Sequence, residues 1–225
     1  AAVVLFTELW LLDTYAKKAE NKNVAIREVW NGLDGTRGLQ YTRSLSLPGG
    51  FQDRLFETWA TFEEKVEADG RRTYIIALCP LENYKGTHHD VVGAEKMHEA
   101  TSRGVHIIKE LTKNTCEWTW VQQVDLKISI HTKFLDIAAR QNLAWANELQ
   151  EKFRRNGKEV DREGVNALVA VMENRRGLPL TEDQAEVFER CEAMLGKGGE
   201  EGWKSLESTS KEVEMKMKYF PPKKG

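Results

Sequence analysis

The sequence predicts an α+β fold in which a curved antiparallel sheet wraps around one long helix, with a helical extension after it. Residues 116–126 alternate apolar and polar side chains, as a half-buried strand does, and residues 131–153 then carry apolar side chains at helical spacing. Earlier segments alternate in the same way between turn residues, which predicts antiparallel neighbours for that strand. A sheet with one apolar face and a helix with one apolar stripe bury both surfaces by packing together.

The composition excludes several classes of protein. The chain has 225 residues, of which 40% are hydrophobic and 30% charged, with a net charge of -2. That is long enough for one domain with a core, and the charge balance does not favour binding to nucleic acid. No apolar run approaches the roughly 20 residues that cross a bilayer. The three cysteines are widely spaced, which predicts reduced thiols and a cytoplasmic location. No motif calls for a metal or a cofactor, and we expect neither.

The first part of the chain predicts one helix and four strands. Its elements are a helix at 2–20 and strands at 24–30, 38–47, 55–64 and 72–80. Asn-Gly and Asp-Gly dipeptides at 31–35 predict a hairpin between the first two strands, and Asp69-Gly70 predicts a turn between the other two.

The middle of the chain predicts an exposed loop followed by more sheet. The loop is expected at 81–91, and 92–110 predicts either a strand pair or one bent strand, with Gly93 and Gly104 at turn or bulge positions. Strand 116–126 and helix 131–153 follow.

The last part predicts two helices, a linker and an amphipathic strand. The helices are expected at 164–176 and 181–195, the second opening on a capping box formed by Thr181 and Gln184. A glycine-rich linker and an alternating segment at 213–219 close the chain.

Three stretches resemble the START family, the steroidogenic-acute-regulatory-related lipid-transfer domains. They are SLSLPGGFQDRLFETWATFEE, DGRRTYIIALCPLE, and TWVQQVDLK with the helix after it. The resemblance spans residues 3–155 and rests on the order of the pattern rather than on a catalytic signature. It implies the helix-grip fold of START and Bet v 1-like proteins, whose sheet and closing helix enclose a tunnel for one lipid or sterol.

The resemblance also implies a division of the chain. The family's opening strand has no counterpart before the START-like stretch, whereas GWKSLESTSKEVEMKMKYFPPKKG resembles it. We therefore expect a START-like lipid-binding domain at 1–156 that lacks its first strand, a helical connector at 157–196, and the first strand of a further repeat at 203–225. That strand is expected to dock on the bare sheet edge, within one chain or by exchange between chains or neighbouring repeats.

The ligand implied by the resemblance is a lipid or another hydrophobic small molecule in an internal cavity, with transient membrane contact during exchange. Several family members place a buried charged pair where this chain has Leu39 or Gln40 and Thr58, so sterol-type polar anchoring is not expected. A register error of one residue would move a strand's residues to the other face. The residues predicted to line the cavity are Leu39, Tyr41, Phe56, Thr58, Ala60, Ile75, Ala77, Trp118 and Trp120 from the strands, and Phe134, Ile137, Ala138 and Gln141 from helix 131–153.

Two other functions compete with ligand binding. The seven tryptophans could fill the core of a scaffolding or regulatory repeat. A cyclase-like or hydrolase-like enzyme could use the same scaffold, and it should then show paired polar groups with perturbed pKa values in a cavity. We expect no enzyme: the sequence has no P-loop, no dinucleotide glycine fingerprint and no G-x-S-x-G, and the enzymatic alternative rests on fold analogy alone.

Two polar motifs have ordinary explanations. His88, His89 and Asp90 predict a solvated loop rather than a metal site. Asp53 and Arg54 predict a turn with a surface ion pair rather than a functional pair.

Overall fold

The computed structural model describes residues 1–12, 24–30, 37–47, 51–94, 97–128, 144–145, 148–149, 162–197 and 215–218. Within these residues the fold is α+β, with one sheet whose strands lie in chain order. The described α-helices are α1 (Ala2–Trp10), α2 (Arg162–Arg175) and α3 (Glu182–Lys197), and Leu81–Asn83 form one turn of 3-10 helix. The described strands are β1 (Arg27–Trp30), β2 (Gly38–Leu45), β3 (Arg54–Val66), β4 (Arg72–Pro80), β5 (His98–Thr112), β6 (Thr115–Asp125) and β7 (Met215–Lys218).

The predicted strands are confirmed, with changes in the middle of the chain. β1 pairs antiparallel with β2, and β3 pairs antiparallel with β4 across a turn in which Gly70 has a φ of 83°. Of the two alternatives predicted for 92–110, the structure has the single strand, β5, which continues to Thr112. Gly93 does lie in a turn, with a φ of 87°. Gly104 is not a bulge, since the irregularity in the β5–β6 ladder falls between Glu110 and Thr112.

β3 changes its neighbour halfway along. β4 ends at Pro80, which lies opposite Thr58, and β5 continues past this end to pair in parallel with β3, Phe56 beside Ala100. Glu57 therefore stands where β3 passes from one partner to the next. We call this place the fork.

The two faces of the sheet are covered by different helices. Face A is the side that carries Ala60, Phe62 and Tyr74, and α1 packs on it with the Phe6 ring centroid 5.0 Å from that of Tyr74 and 5.2 Å from that of Phe62. Face B is the opposite side, where Ala77 and other residues meet α3. Both faces are therefore buried against helices in the middle of the sheet.

α1 is shorter than the sequence predicts. It ends at Trp10, because Leu11 leaves the helical conformation with a ψ of 80°. The remainder of the predicted helix, 13–20, lies outside the described residues.

The helices of the predicted connector pack on the sheet's two sides. On α2, Leu168 and Met172 join the face A core, and Arg37 donates hydrogen bonds to the carbonyls of Arg175 and Leu178 at 2.7 and 2.9 Å. α3 contributes Val187, Phe188 and Cys191 to the face B core. The domain boundary at 156 stays a prediction.

The predicted capping box of α3 is confirmed. The Gln184 backbone amide donates to Thr181 Oγ1 at 3.3 Å, and the Thr181 amide donates to Gln184 Oε1 at 3.1 Å. The two bonds satisfy backbone donors that a helix start otherwise leaves open.

β7 occupies the sheet edge beyond β6. It runs antiparallel to β6, with Met217 opposite Trp120. Whether this strand belongs to a further repeat stays a prediction. Of the predicted helix 131–153, only 144–145 and 148–149 are described, and they are helical.

Candidate ligand-binding site

Most of the predicted wall residues share one surface. Face A carries those of β2, β3 and β6, because the register pairs Leu39 with Ala60 and Tyr41 with Thr58, and Trp118 and Trp120 join the same core. The predicted wall residues on face A are Leu39, Tyr41, Phe56, Thr58, Ala60, Trp118 and Trp120.

The prediction for β4 was wrong by one residue. Ile75 and Ala77 lie on face B, and Tyr74 and Ile76 take the face A positions. In the strand RTYIIALCP both the odd-numbered and the even-numbered positions carry apolar residues, since helices cover both faces of the sheet. The sequence pattern therefore could not show which residues point to face A.

The predicted residues of helix 131–153 lie outside the described residues. These are Phe134, Ile137, Ala138 and Gln141. The described part contributes Trp145 and Leu149 to the face A core. Trp145 stands nearly perpendicular to Trp118 and Trp120, with centroid distances of 5.8 and 5.6 Å. This short helical segment therefore packs against the predicted tryptophan pair.

His106 belongs to the tryptophan cluster and was missed by the sequence analysis. Its ring lies nearly parallel to Trp118 and Trp120, with centroids 5.7 and 5.3 Å away, and its Nδ1 accepts a hydrogen bond from Trp118 Nε1 at 3.2 Å. Burial lowers the pKa of His106 to about 3, so the imidazole is neutral in the folded protein. His106 lies two residues from Ile108 along β5, so the same alternation that buries Ile108 could have indicated that His106 faces the core.

Trp120 holds an unused hydrogen-bond donor in this cluster. Its Nε1 is buried and has no hydrogen-bond partner among the described residues. A buried donor left without an acceptor costs about 1–3 kcal/mol. A ligand with an oxygen acceptor would remove that cost.

One end of face A is basic. Arg27 and Arg43 are direct partners on β1 and β2. Arg27 donates to the Tyr41 hydroxyl at 2.6 Å and to the Leu12 carbonyl, while its Nε is buried without a partner among the described residues. Arg43 lies over the ring of Phe56, 5.7 Å from its centroid.

Arg54 is the third arginine at this end of face A. The prediction that it forms a surface ion pair with Asp53 is wrong, because Arg54 is only 5% exposed. Its Nε donates to the Leu126 carbonyl at 2.9 Å, and its Nη1 donates to the Gln52 carbonyl at 2.8 Å. Arg54 thus ties β3 to the end of β6 through neutral acceptors.

A second concave surface opens on face B at the fork. This cleft has a volume of about 280 Å³, and it exists because β4 stops at Pro80. Its walls combine four carboxylates with aromatic and apolar groups. The carboxylates belong to Glu57, Glu82, Asp90 and Glu99.

Most residues of the loop 81–91 are exposed or half-buried, as predicted, and the loop also forms the cleft's outer wall. The Gln40 side chain makes two hydrogen bonds to the His89 backbone, at 2.7 and 2.8 Å, and the His89 ring stacks on Trp30 at 4.2 Å. Tyr84 stacks on Trp59 with 3.8 Å between centroids. Face B residues therefore hold the loop across the sheet.

The cleft perturbs one carboxyl group. Partial burial raises the pKa of Glu57, and the negative charges of Glu99 and Asp90 raise it further, while His88 opposes the change. Within the described ranges, no three or more His, Cys, Asp or Glu side chains are grouped to hold a metal ion.

Comparison with known proteins adds no assignment. The chain matches no protein-family model, no curated protein and no solved structure. Among the described helices, none is both long enough and apolar enough to cross a membrane. A function is therefore inferred from face A and the fork cleft.

Proposed function

We propose that the protein binds a hydrophobic small molecule, such as a lipid, between face A and the helix that follows β6, as in a helix-grip fold. The observation that carries the proposal is the buried apolar cluster around Trp120. Tryptophan rings and aliphatic side chains surround it, and its buried indole N–H lacks an acceptor among the described residues. Sites for small molecules are mostly apolar with a few polar groups that orient the ligand.

Apolar contact supplies most of the binding energy in such a site. Each buried methylene is worth about 0.8 kcal/mol, so an acyl chain needs no other strong interaction. A hydrogen bond from Trp120 Nε1 to a ligand oxygen adds orientation and satisfies a donor that is otherwise buried unpaired.

Native mass spectrometry of the purified protein, with extraction of bound lipid, tests this proposal directly. Monooleoylglycerol is the added probe, because it has a tail and oxygen acceptors but no charge. We expect saturable binding of one molecule per chain. Absence of both a co-purifying lipid and saturable probe binding would overturn the proposal.

A matched pair of variants tests the role of Trp120. Trp120→Phe removes the N–H and keeps an aromatic ring, and we expect about tenfold weaker binding, the factor for roughly 1.4 kcal/mol. Trp59→Phe is the control, since Trp59 Nε1 is also buried without a partner among the described residues but lies on face B. Equal losses in both variants would argue against a specific contact at Trp120.

A second candidate function is the binding of a small organic cation in the fork cleft. The acidic lining of the cleft favours a cation. Partial burial is the largest cause of the raised pKa of Glu57, and the negative charges of Glu99 and Asp90 add to it, so a positive charge placed beside these carboxylates is favourable. Tyr84 adds an aromatic wall. The probe is 1,4-diaminobutane, followed by NMR titration.

The cleft's own variants decide this second candidate. Glu57→Gln should weaken diamine binding several-fold, whereas Glu63→Gln, on the same strand but outside the cleft lining, should leave it unchanged. NMR chemical-shift changes that do not saturate with added diamine would contradict this candidate. So would shift changes that are the same in the wild-type protein and in Glu57→Gln.

A further inference from the structure

We infer that the polar end of the hydrophobic ligand is uncharged and presents a carbonyl oxygen to Trp120 Nε1, as in a neutral acyl ester. The inference rests on the proposed function and names the chemical class of the head group. It is carried by the β5–β6 ladder, in which two tryptophans share one arrangement but only one of them finds an acceptor.

The two tryptophans of β6 repeat one another along the strand. Trp118 and Trp120 are two residues apart, and their indole planes differ by only 3°. Trp118 lies directly opposite Ile108, and its Nε1 donates to His106 Nδ1, two residues back along β5. Trp120 lies directly opposite His106, so the corresponding residue for its own N–H is Gly104, which has no side chain.

The chain cannot place an acceptor of its own at this position. A Cβ on Gly104 would lie 2.5 Å from the Val121 carbonyl oxygen and 3.2 Å from Gln122 Cα, so a side chain there would displace the neighbouring strand. Trp120 is only 5% exposed, and its N–H has no partner among the described residues. Buried donors are normally paired with an acceptor, and a ligand oxygen beside Gly104 would supply the one that is missing.

The surroundings of Trp120 favour an uncharged acceptor. Its opposite and diagonal neighbours on β5, and its neighbours on the same face of β6, carry no charge, since burial lowers the pKa of His106 to about 3. These neighbours are His106, Ile108, Gly104, Trp118 and Gln122. A carboxylate or phosphate placed here would lose its hydration without gaining a cation, whereas an ester carbonyl accepts the same hydrogen bond at much lower cost.

Gln122 and Ser102 offer a second polar contact next to Gly104. Gln122 lies directly opposite Gly104, and its Nε2 donates to Ser102 Oγ at 2.8 Å. That bond uses neither the side-chain oxygen of Gln122 nor the hydroxyl proton of Ser102. Gln122 is half-buried, so the pair lies between the buried N–H and solvent. Hydroxyl groups beside the ligand's carbonyl, as in a monoacylglycerol, fit this pair.

Trp145 marks where the apolar part of the ligand enters. Its ring packs against both Trp118 and Trp120, yet it is only half-buried, so the aromatic cluster reaches the protein surface there. A ligand that takes the place of Trp145 on these two rings exchanges one apolar contact for another. Its carbonyl oxygen then gains the hydrogen bond that Trp145 cannot accept.

Four probes with related C18 chains separate the parts of the head group. Monooleoylglycerol is compared with 1-O-oleylglycerol, an ether in which a methylene replaces the carbonyl, with methyl oleate, which lacks the hydroxyls, and with oleate, which is charged. Competition between them is followed by native mass spectrometry at about pH 9, where oleate is ionised. We expect the ether to bind about tenfold weaker than monooleoylglycerol, and oleate at least about tenfold weaker than methyl oleate.

Variants assign these preferences to residues. The preference for the ester over the ether should be lost in Trp120→Phe and kept in Trp59→Phe, which removes an unpaired N–H on face B. Gln122→Ala should reduce the preference for monooleoylglycerol over methyl oleate about threefold. Its control is Gln123→Ala, the next residue of β6, which alternation places on face B and which should leave that preference unchanged.

The outcomes separate this inference from the proposed function. If the ester and the ether bind equally, no ligand carbonyl meets the N–H, and the inference fails while hydrophobic binding stands. Oleate that binds as tightly as methyl oleate would overturn the uncharged head group. An ester preference that survives Trp120→Phe would show that the carbonyl is recognised elsewhere, which also refutes the inference. If none of the four probes binds, the inference and the proposed function fail together.

Discussion

Acid should destabilise this protein through His106, and the variant His106→Gln should remove that part of the effect. The imidazole lies beside Trp118 and Trp120 in a fully buried position, and burial lowers its pKa from the ordinary 6.5 to about 3. Since the folded protein holds the neutral form, protons bind to the unfolded chain first. The stabilising effect of neutral His106 is therefore complete above about pH 6.5 and is lost as the pH falls towards 3.

The size of the effect between neutral pH and about pH 5 depends on the unfolded chain. A pH near 5 lies about 1.5 units below the unfolded pKa, and each unit corresponds to about 1.36 kcal/mol. We thus expect His106 to remove about 2 kcal/mol of unfolding free energy at that pH relative to neutral pH. This free-energy difference stays nearly the same for any pKa of His106 in the folded protein that is well below 5.

Urea unfolding at a series of pH values measures the effect. The difference in unfolding free energy between the wild-type protein and His106→Gln should change by about 2 kcal/mol between neutral pH and about pH 5. The glutamine side chain introduced by this substitution does not titrate, and it keeps an oxygen that can accept the Trp118 N–H. His98→Gln, which replaces an exposed histidine on the same strand, is the control and should show no such change. A pH-independent difference for His106→Gln would refute a buried neutral imidazole.

Two further predictions concern the fork and the β5–β6 ladder. The raised pKa of Glu57 means that its carboxylate costs stability once the pH rises through that pKa, so Glu57→Gln should stabilise the protein at neutral pH and not below about pH 4.5. The gain should stay under about 1 kcal/mol because the group is partly exposed, and thermal unfolding at the two pH values checks it. Gly104→Ala should lower the unfolding free energy by about 1–3 kcal/mol in urea, because the new Cβ would lie 2.5 Å from the Val121 carbonyl oxygen and 3.2 Å from Gln122 Cα. An unchanged unfolding midpoint would show that β5 and β6 can separate without cost.

Sequence reasoning succeeded where one face of a strand is more apolar than the other. In β2, Leu39 and Tyr41 alternate with Gln40 and Thr42, and the predicted parity is that of the structure. β4 offered no such contrast, because α1 and α3 cover its two faces and both Ile75 and Ile76 are apolar. Alternation of apolar residues indicates which side of a strand faces an apolar core, and it gives no indication when both sides of the strand are apolar.

The fork could not be read from the sequence because it depends on contacts between distant segments. Glu57 and Glu99 are far apart in the chain, and they line one cleft only because β5 extends beyond the end of β4. The loop 81–91 looks polar, yet its position depends on the Gln40 side chain and on two stacked ring pairs. For a related reason His106 was missed and Arg54 was wrongly predicted to lie at the surface, since the type of a polar residue does not reveal its burial.

The register of β3 keeps two opposite charge environments apart. Arg54 and Phe56 face the arginines of face A, while Leu55 and Glu57 face the acidic cleft of face B. A slip of one residue would exchange these sets, placing Glu57 among the arginines and Arg54 or Phe56 in the cleft.

The slipped sheet would pair Glu57 with arginine, which is favourable, but it would also turn Ala60 and Phe62 away from α1 and Trp59 away from Tyr84. Because apolar burial outweighs one partly exposed ion pair, packing sets the register and leaves the arginines without a carboxylate. The basic end of face A therefore has no carboxylate from β3 beside it, because the core fixes β3 in the register that keeps Glu57 on face B.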